Sequence, residues 1–181
     1  ELFLLYIAYS VLGWCGEMIY CSVPKGRLCE KRGFLNGFLC PIYGHGALLV
    51  LYALRGGFRN PFLTFLFGAL LTSALEYFTS WYLEKLFHAR WWDYTKFPLN
   101  FNGRVCLFVS LVWGGFALLF VYIIQPQFEK LVAALHRHPK WPARLVAIGG
   151  VLLAVDMVSS AHIAVDIGNK LDHFGASWRF W

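Results

Sequence analysis

Five long apolar runs fill most of this 181-residue chain, at about 2–23, 37–54, 61–86, 105–125 and 143–167, and no other feature limits its fold as strongly. A helix needs about 20 apolar residues to cross a hydrocarbon core about 30 Å thick. Inside lipid only helices and closed barrels satisfy their own backbone polar groups. Burying five such runs in a soluble core would demand a polar surface that this chain lacks. Only 14% of its residues are charged and 59% are hydrophobic, against about a quarter charged in soluble domains. The expected structure is all-α: a polytopic helical membrane protein, a single domain over 1–181, with about five transmembrane helices.

The fourth run is expected to end at Pro126, because proline cannot donate to a continuing helix. After it, QPQFEKLVAALHRHPKWPARL at 125–145 carries Phe128, Leu131, Val132 and Leu135 at helical spacing. That pattern predicts a short amphipathic helix lying in the membrane interface. The first run is expected to span rather than serve as a cleaved leader: it has no basic head, no small-residue cleavage site, and Glu17 in its middle. The five cysteines form no CxxC pair and read first as small packing residues, with metal ligation or a structural disulfide as the alternative.

The chain is basic, with a formal charge of +6. With five spans, the larger share of its Lys and Arg falls on the side holding the first and third connections and the C-terminal tail. The positive-inside rule then puts RWWDY cytoplasmic and the N-terminus outside. The charges are scattered across loops flanking apolar runs, so anionic headgroups, not nucleic acid, are the expected counterpart.

Three acids interrupt the runs: Glu17, Glu76 and Asp156. A charge at the centre of a span costs about 2.5 to 3.5 kcal/mol on insertion scales, so each must be paired, protonated or bound to a ligand. Each is a site candidate, beside the simpler role of a structural ion pair or hydrogen-bonded acid. Glu76 and Glu84 lie about 80° apart around one helix, with Ser73, Tyr77 and Ser80 near Glu76. Glu84 and Lys85 close that run, where charges snorkel to the interface, and Glu84 taken alone reads as unremarkable.

The densest polar chemistry lies outside the runs, in RWWDYTKFPLNFNGR at 90–104. An aromatic belt accounts for Trp91 and Trp92. It does not account for Asp93, Tyr94, Asn100 and Arg104, which are expected to line or cap a site with Glu17 and Glu76 in its floor. Arg32 and Asn36 stand before the second run. There CPIYGHG, holding Tyr43, pairs a proline with two glycines and predicts a distorted helix start. The candidate substrate-binding or coupling residues are therefore Glu17, Arg32, Asn36, Tyr43, Glu76, Asp93, Tyr94, Asn100, Arg104 and Asp156. His45 reads as a proton carrier or, more simply, a packing histidine. No HExxH, DxxxD or paired-histidine pattern occurs, and neither a metal nor a cofactor is expected.

Several of these stretches together resemble a known family. GWCGE at 13–17, RGFLNG at 32–37, CPIYGHG at 40–46, LEYFTSWYLEKLFHARWWDY at 75–94, NFNGRVCL at 100–107 and SLVWG at 110–114 are similar to the small bacterial multi-pass proteins termed Putative ABC-transporter type IV. DMVSS at 156–160 resembles a polar patch in that family's last span. The resemblance covers roughly 5–126, with departures at Lys31 and at Gly37-Phe38. It implies a bacterial inner-membrane protein and suggests transport, without naming a substrate.

Three functions fit these residues. A transporter subunit would bind a polar or charged small molecule or ion between helices, with Arg32 and Arg104 on an anionic group and the acids coupling charge. No GxxxxGK[ST] motif is present, so ATP-driven transport would need a separate ATPase, and five spans would need copies of themselves or a partner to form a pathway. A membrane enzyme acting on a lipid or isoprenoid phosphate would use the same carboxylates and arginines. A scaffold would use the polar residues only to hold helices together. Acids near span centres favour transport.

Overall fold

A computed structural model describes residues 1–28, 34–54, 60–137, 140–173 and 178–179. Helices account for most of it: α1 (Leu2–Lys25), α2 (Pro41–Leu54), α3 (Pro61–Phe87), α4 (Leu107–Leu119), α5 (Gln125–His136) and α6 (Lys140–His173). Four two-residue strands complete it: β1 (Ala89–Arg90), β2 (Asn100–Phe101), β3 (Val105–Cys106) and β4 (Trp178–Arg179). β2 and β3 form an antiparallel pair, and β1 lies parallel to β4. Among the described residues, four helices are long and apolar enough to cross a membrane: Leu2–Val23, Pro61–Phe87, Leu107–His136 and Lys140–Ile167. They leave large side chains such as Phe62, Leu70, Phe108, Val151 and Val158 exposed, as lipid-facing helices do and water-facing ones do not. The protein is an all-α membrane protein.

Two of the expected helix limits move. The second run yields a helix of only 14 residues, because 37–40 are used as loop and α2 starts at Pro41. The fourth run does not stop at Pro126. α4 passes through a π-helical turn at Phe120–Ile124, closed by the Gln125 N–H on the Phe120 carbonyl, and continues as α5. Proline removes one i→i−4 bond and crowds the carbonyl four residues back. A π turn directly upstream shifts the hydrogen-bond register and lets the helix carry on. The amphipathic segment is thus the continuation of a 30-residue helix.

The chain falls into two compact units, Glu1–Leu48 with Gln127–His162, and Leu49–Pro126 with Ile163–Trp181. In the first, α2 seats closely on α1. A Cβ on Gly44 would lie 2.7 Å from the Tyr6 ring and would also meet the Ser10 hydroxyl, so only glycine permits that approach. The Cys40 N–H donates to the Ser10 carbonyl at 3.0 Å, fixing the start of α2. α6 packs its Gly149 against Ile7, and Tyr9 meets Phe128 of α5.

In the second unit α3 and α4 form the main pair. Gly68 accommodates Ala117, Gly114 lies under the Phe65 ring, and Ser73 donates to Ser110 at 2.7 Å. α3 starts cleanly: Asn60 accepts from the Phe62 N–H at 2.9 Å and Pro61 occupies the first turn. It ends at His88, whose φ of 53° caps the helix through an N–H bond to the Glu84 carbonyl. Cys15, Cys40 and Cys106 are free thiols. Cys21 is disulfide-bonded, which departs from the packing role expected for the cysteines.

Candidate functional site

In the second unit the segment after α3 folds back over that helix. Asn102 and Gly103, with φ of 53° and 67°, form a tight turn between β2 and β3, closed by the Arg104 N–H on the Phe101 carbonyl at 3.1 Å. Asn-Gly suits this turn because both central residues must be left-handed. A Cβ on Gly103 would also lie 2.6 Å from Thr95 Cγ2 and 2.8 Å from Asp93 Oδ1. Asn100 ties the loop internally, donating to the Phe97 carbonyl at 2.8 Å and accepting from the Gly103 N–H at 3.0 Å. Asp93 accepts from the Thr95 N–H at 2.9 Å, and Trp92 Nε1 donates to the Arg104 carbonyl at 3.0 Å. Asp93 and Asn100 thus shape the loop.

The loop and its hairpin, joined by the Tyr94 N–H on the Gly103 carbonyl at 2.7 Å, carry Tyr94 and Arg104 onto a polar column of α3. Glu76, Ser80 and Glu84 recur every four residues, one above another with a slow drift. Glu76 is buried, with 6% exposure, and its Oε1 accepts from the Tyr94 hydroxyl at 2.9 Å. Arg104 bridges the next two levels. Its Nη1 donates to the buried Ser80 hydroxyl at 3.2 Å, and its Nη2 pairs with Glu84 Oε2. Arg90 Nε reaches the other oxygen of Glu84 at 2.9 Å, and its Nη1 donates to the Asn102 carbonyl at 3.3 Å. The Tyr77 ring lies 5.8 Å from the Arg104 guanidinium and its hydroxyl accepts from Asn102 at 3.0 Å.

The first unit holds a second polar group. Tyr43, lying over Gly13, donates to Glu17 Oε1 in a short 2.5 Å bond. Asp156 reaches from α6 to the loop before α2, accepting from the backbone N–H of Asn36 at 2.9 Å and of Gly37 at 2.8 Å. The Ser160 hydroxyl donates to Asp156 at 3.2 Å and accepts from both nitrogens of Asn36 at 2.9 Å. This clamp joins residues 120 positions apart.

Of the ten candidates, Glu76, Asp93, Tyr94, Asn100 and Arg104 lie in the second unit, and Glu17, Asn36, Tyr43 and Asp156 in the first. Arg32 lies outside the described residues. Glu84, read from sequence as an ordinary interfacial charge, instead joins both arginines. The missed signal was Asn102-Gly103, a hairpin pair whose tight turn returns Arg104 to the end of the helix that Arg90 leaves. No three metal-ligating side chains gather among the described residues.

No curated protein and no solved structure matches the chain. A family model does: Putative ABC-transporter type IV covers residues 4–161, from α1 through Asp156 and Ser160. That span takes in both polar groups, and the chain belongs to the Putative ABC-transporter type IV family.

Proposed function

We propose that the protein is the membrane-embedded permease subunit of an ABC-type transporter in a bacterial inner membrane, binding a polar or charged small molecule or ion between helices. The observation that carries this reading is the column on α3. Glu76 and Ser80 are buried within a helix long and apolar enough to span, and Glu84 closes the column under two arginines. Groups this costly in lipid persist where they serve a pathway. Glu76 and Arg104 are the ligand-facing residues of this reading, and Tyr94 positions Glu76. In the other unit Glu17 and Asp156 serve charge coupling, with Tyr43 and Asn36 as their partners. Asp93 and Asn100 hold the loop that presents Arg104.

These 181 residues contain no phosphate-binding GxxxxGK[ST] loop, so in this reading ATP hydrolysis is supplied from outside them by an ATPase partner. The test is native mass spectrometry of the gently solubilised protein drawn from its own cells. A stoichiometric ATPase partner supports the permease reading. A lone protomer or homo-oligomer carrying a processed lipid or isoprenoid phosphate supports instead an enzyme that uses the two arginines as its phosphate grip.

A further inference from the structure

Two guanidinium groups meet at the end of α3 on one shared carboxylate, with the Asp93 carboxylate nearby on the far side of Gly103. Arg90 and Arg104 converge on the single carboxylate of Glu84. Their other polar contacts, the Ser80 hydroxyl and the Asn102 carbonyl, are neutral, as is the Tyr77 ring beside Arg104. Lys85, the next residue along, is exposed and adds charge of the same sign. The arrangement is open on one side: the Arg90 side chain is 24% and Glu84 31% exposed, whereas Arg104 forms an enclosed wall at 11%. Glu84 offers one oxygen to each guanidinium, the bridging geometry that a tetrahedral oxyanion also satisfies. A partly exposed ion pair is screened by water and exchanges readily.

We propose that Arg90 and Arg104 form an anion site whose internal occupant is Glu84, and that a phosphate-class group binds there by sharing or displacing that carboxylate. This rests on the reading of α3 as a ligand-bearing column and gives its ligand class. The phosphate comes either as a free anion or as the headgroup of an anionic lipid, since guanidinium groups at the end of a spanning helix meet both.

The experiment uses the full chain in nanodiscs. In phosphatidylcholine discs, inorganic phosphate is titrated against chloride at matched ionic strength, and the unfolding midpoint and binding isotherm are followed. Wild type is expected to show a phosphate-specific rise in midpoint. Glu84→Gln, which removes the competing charge, is expected to bind phosphate about tenfold more tightly or better, and Arg90→Gln to lose the response. In discs containing phosphatidylglycerol, native mass spectrometry counts retained lipid, again against Arg90→Gln. A phosphate response in neutral discs identifies the free anion, and retention of phosphatidylglycerol alone identifies the headgroup. Wild type showing neither overturns the proposal, as does a folded Glu84→Gln that binds no more tightly than wild type. If Glu84→Gln does not fold, wild type against Arg90→Gln decides. Binding is read without an ATPase, so a phosphate site with no ATPase partner would sink the permease reading and leave this one. An ATPase partner without phosphate binding would do the reverse.

Discussion

Asp156 offers the sharpest test of how the first unit is held. Its two oxygens accept separately from the Asn36 and Gly37 amides, at 2.9 and 2.8 Å. In Asp156→Asn one oxygen becomes an NH2 group, which faces a backbone N–H as donor against donor. One charge-assisted bond is lost, worth about 1.5 to 3 kcal/mol, and the other becomes neutral and weaker. Asp156, Asn36 and Gly37 are only partly buried, so the lower part of the range applies, about 2 kcal/mol. At about 1.4 kcal/mol per tenfold, amide exchange in 34–40 should accelerate about 30-fold. Hydrogen–deuterium exchange of the detergent-solubilised protein, resolved to that peptide, reads this directly. Ser160→Ala removes two neutral bonds from Asn36 and a longer one to Asp156, keeps both amide bonds to the carboxylate, and should accelerate exchange several-fold. Gly37→Ala attacks the same contact from the other side, because its Cβ would lie 2.6 Å from Asp156 Oδ2. Combined with Asp156→Asn it should add much less than its separate effect. Unchanged exchange in 34–40 for Asp156→Asn, in a protein that remains folded, would show that the loop is held by something else.

Gly103→Ala should lower stability by about 1 to 2 kcal/mol, since an L side chain at φ 67° is strained and its Cβ also meets Thr95 and Asp93. A thermal unfolding midpoint equal to wild type would contradict the hairpin geometry. Tyr43→Phe removes the donor to Glu17 and should cost about 1 to 3 kcal/mol by leaving the carboxylate under-satisfied. Tyr43→Phe combined with Glu17→Gln should recover part of that loss in the same unfolding assay. Glu76→Gln keeps an oxygen for the Tyr94 hydroxyl, so it should insert and fold. If the permease reading holds, it should nevertheless abolish substrate-stimulated ATP hydrolysis by a complex with an ATPase subunit, and full activity would remove Glu76 from the proposed site. Arg104→Ala should likewise insert into the membrane while losing that activity.

Length and hydropathy are read reliably from sequence where a run has no competing use. The third run, expected at 61–86, became Pro61–Phe87, because Asn60-Pro61 starts it and nothing inside it asks for another conformation. The second run was misjudged at its start because hydropathy cannot report that residues 36 and 37 donate their amides to Asp156. That bond depends on a partner 120 positions away. Pro126 was misread for a local reason: the rule against proline inside helices assumes α-helical spacing upstream, and the π turn changes the spacing. Intramembrane acids announced themselves through their cost. Glu84 did not, since a carboxylate at a helix end is cheap and only the fold reveals that two arginines share it.

The polar, aromatic segment at 90–104 is thus where the cost of α3 is recovered. A buried carboxylate in a spanning helix opposes insertion by about 2.5 to 3.5 kcal/mol on insertion scales. Tyr94 donates to Glu76, and Arg104 reaches Ser80 and Glu84. Neither Tyr94 nor Arg104 belongs to α3. Tyr94 comes once the chain has left the helix and is tied to the hairpin by its N–H on the Gly103 carbonyl at 2.7 Å, and Arg104 follows the Asn102-Gly103 turn that pairs β2 with β3. Hairpin closure and the seating of α3 are therefore expected to be coupled. It follows that weakening the turn should loosen α3 around Glu76 as well as the turn itself. In Gly103→Ala, exchange protection should fall at Glu76 and Ser80 together with Asn100 and Arg104. Loss confined to the hairpin would mean that α3 holds its acids without it.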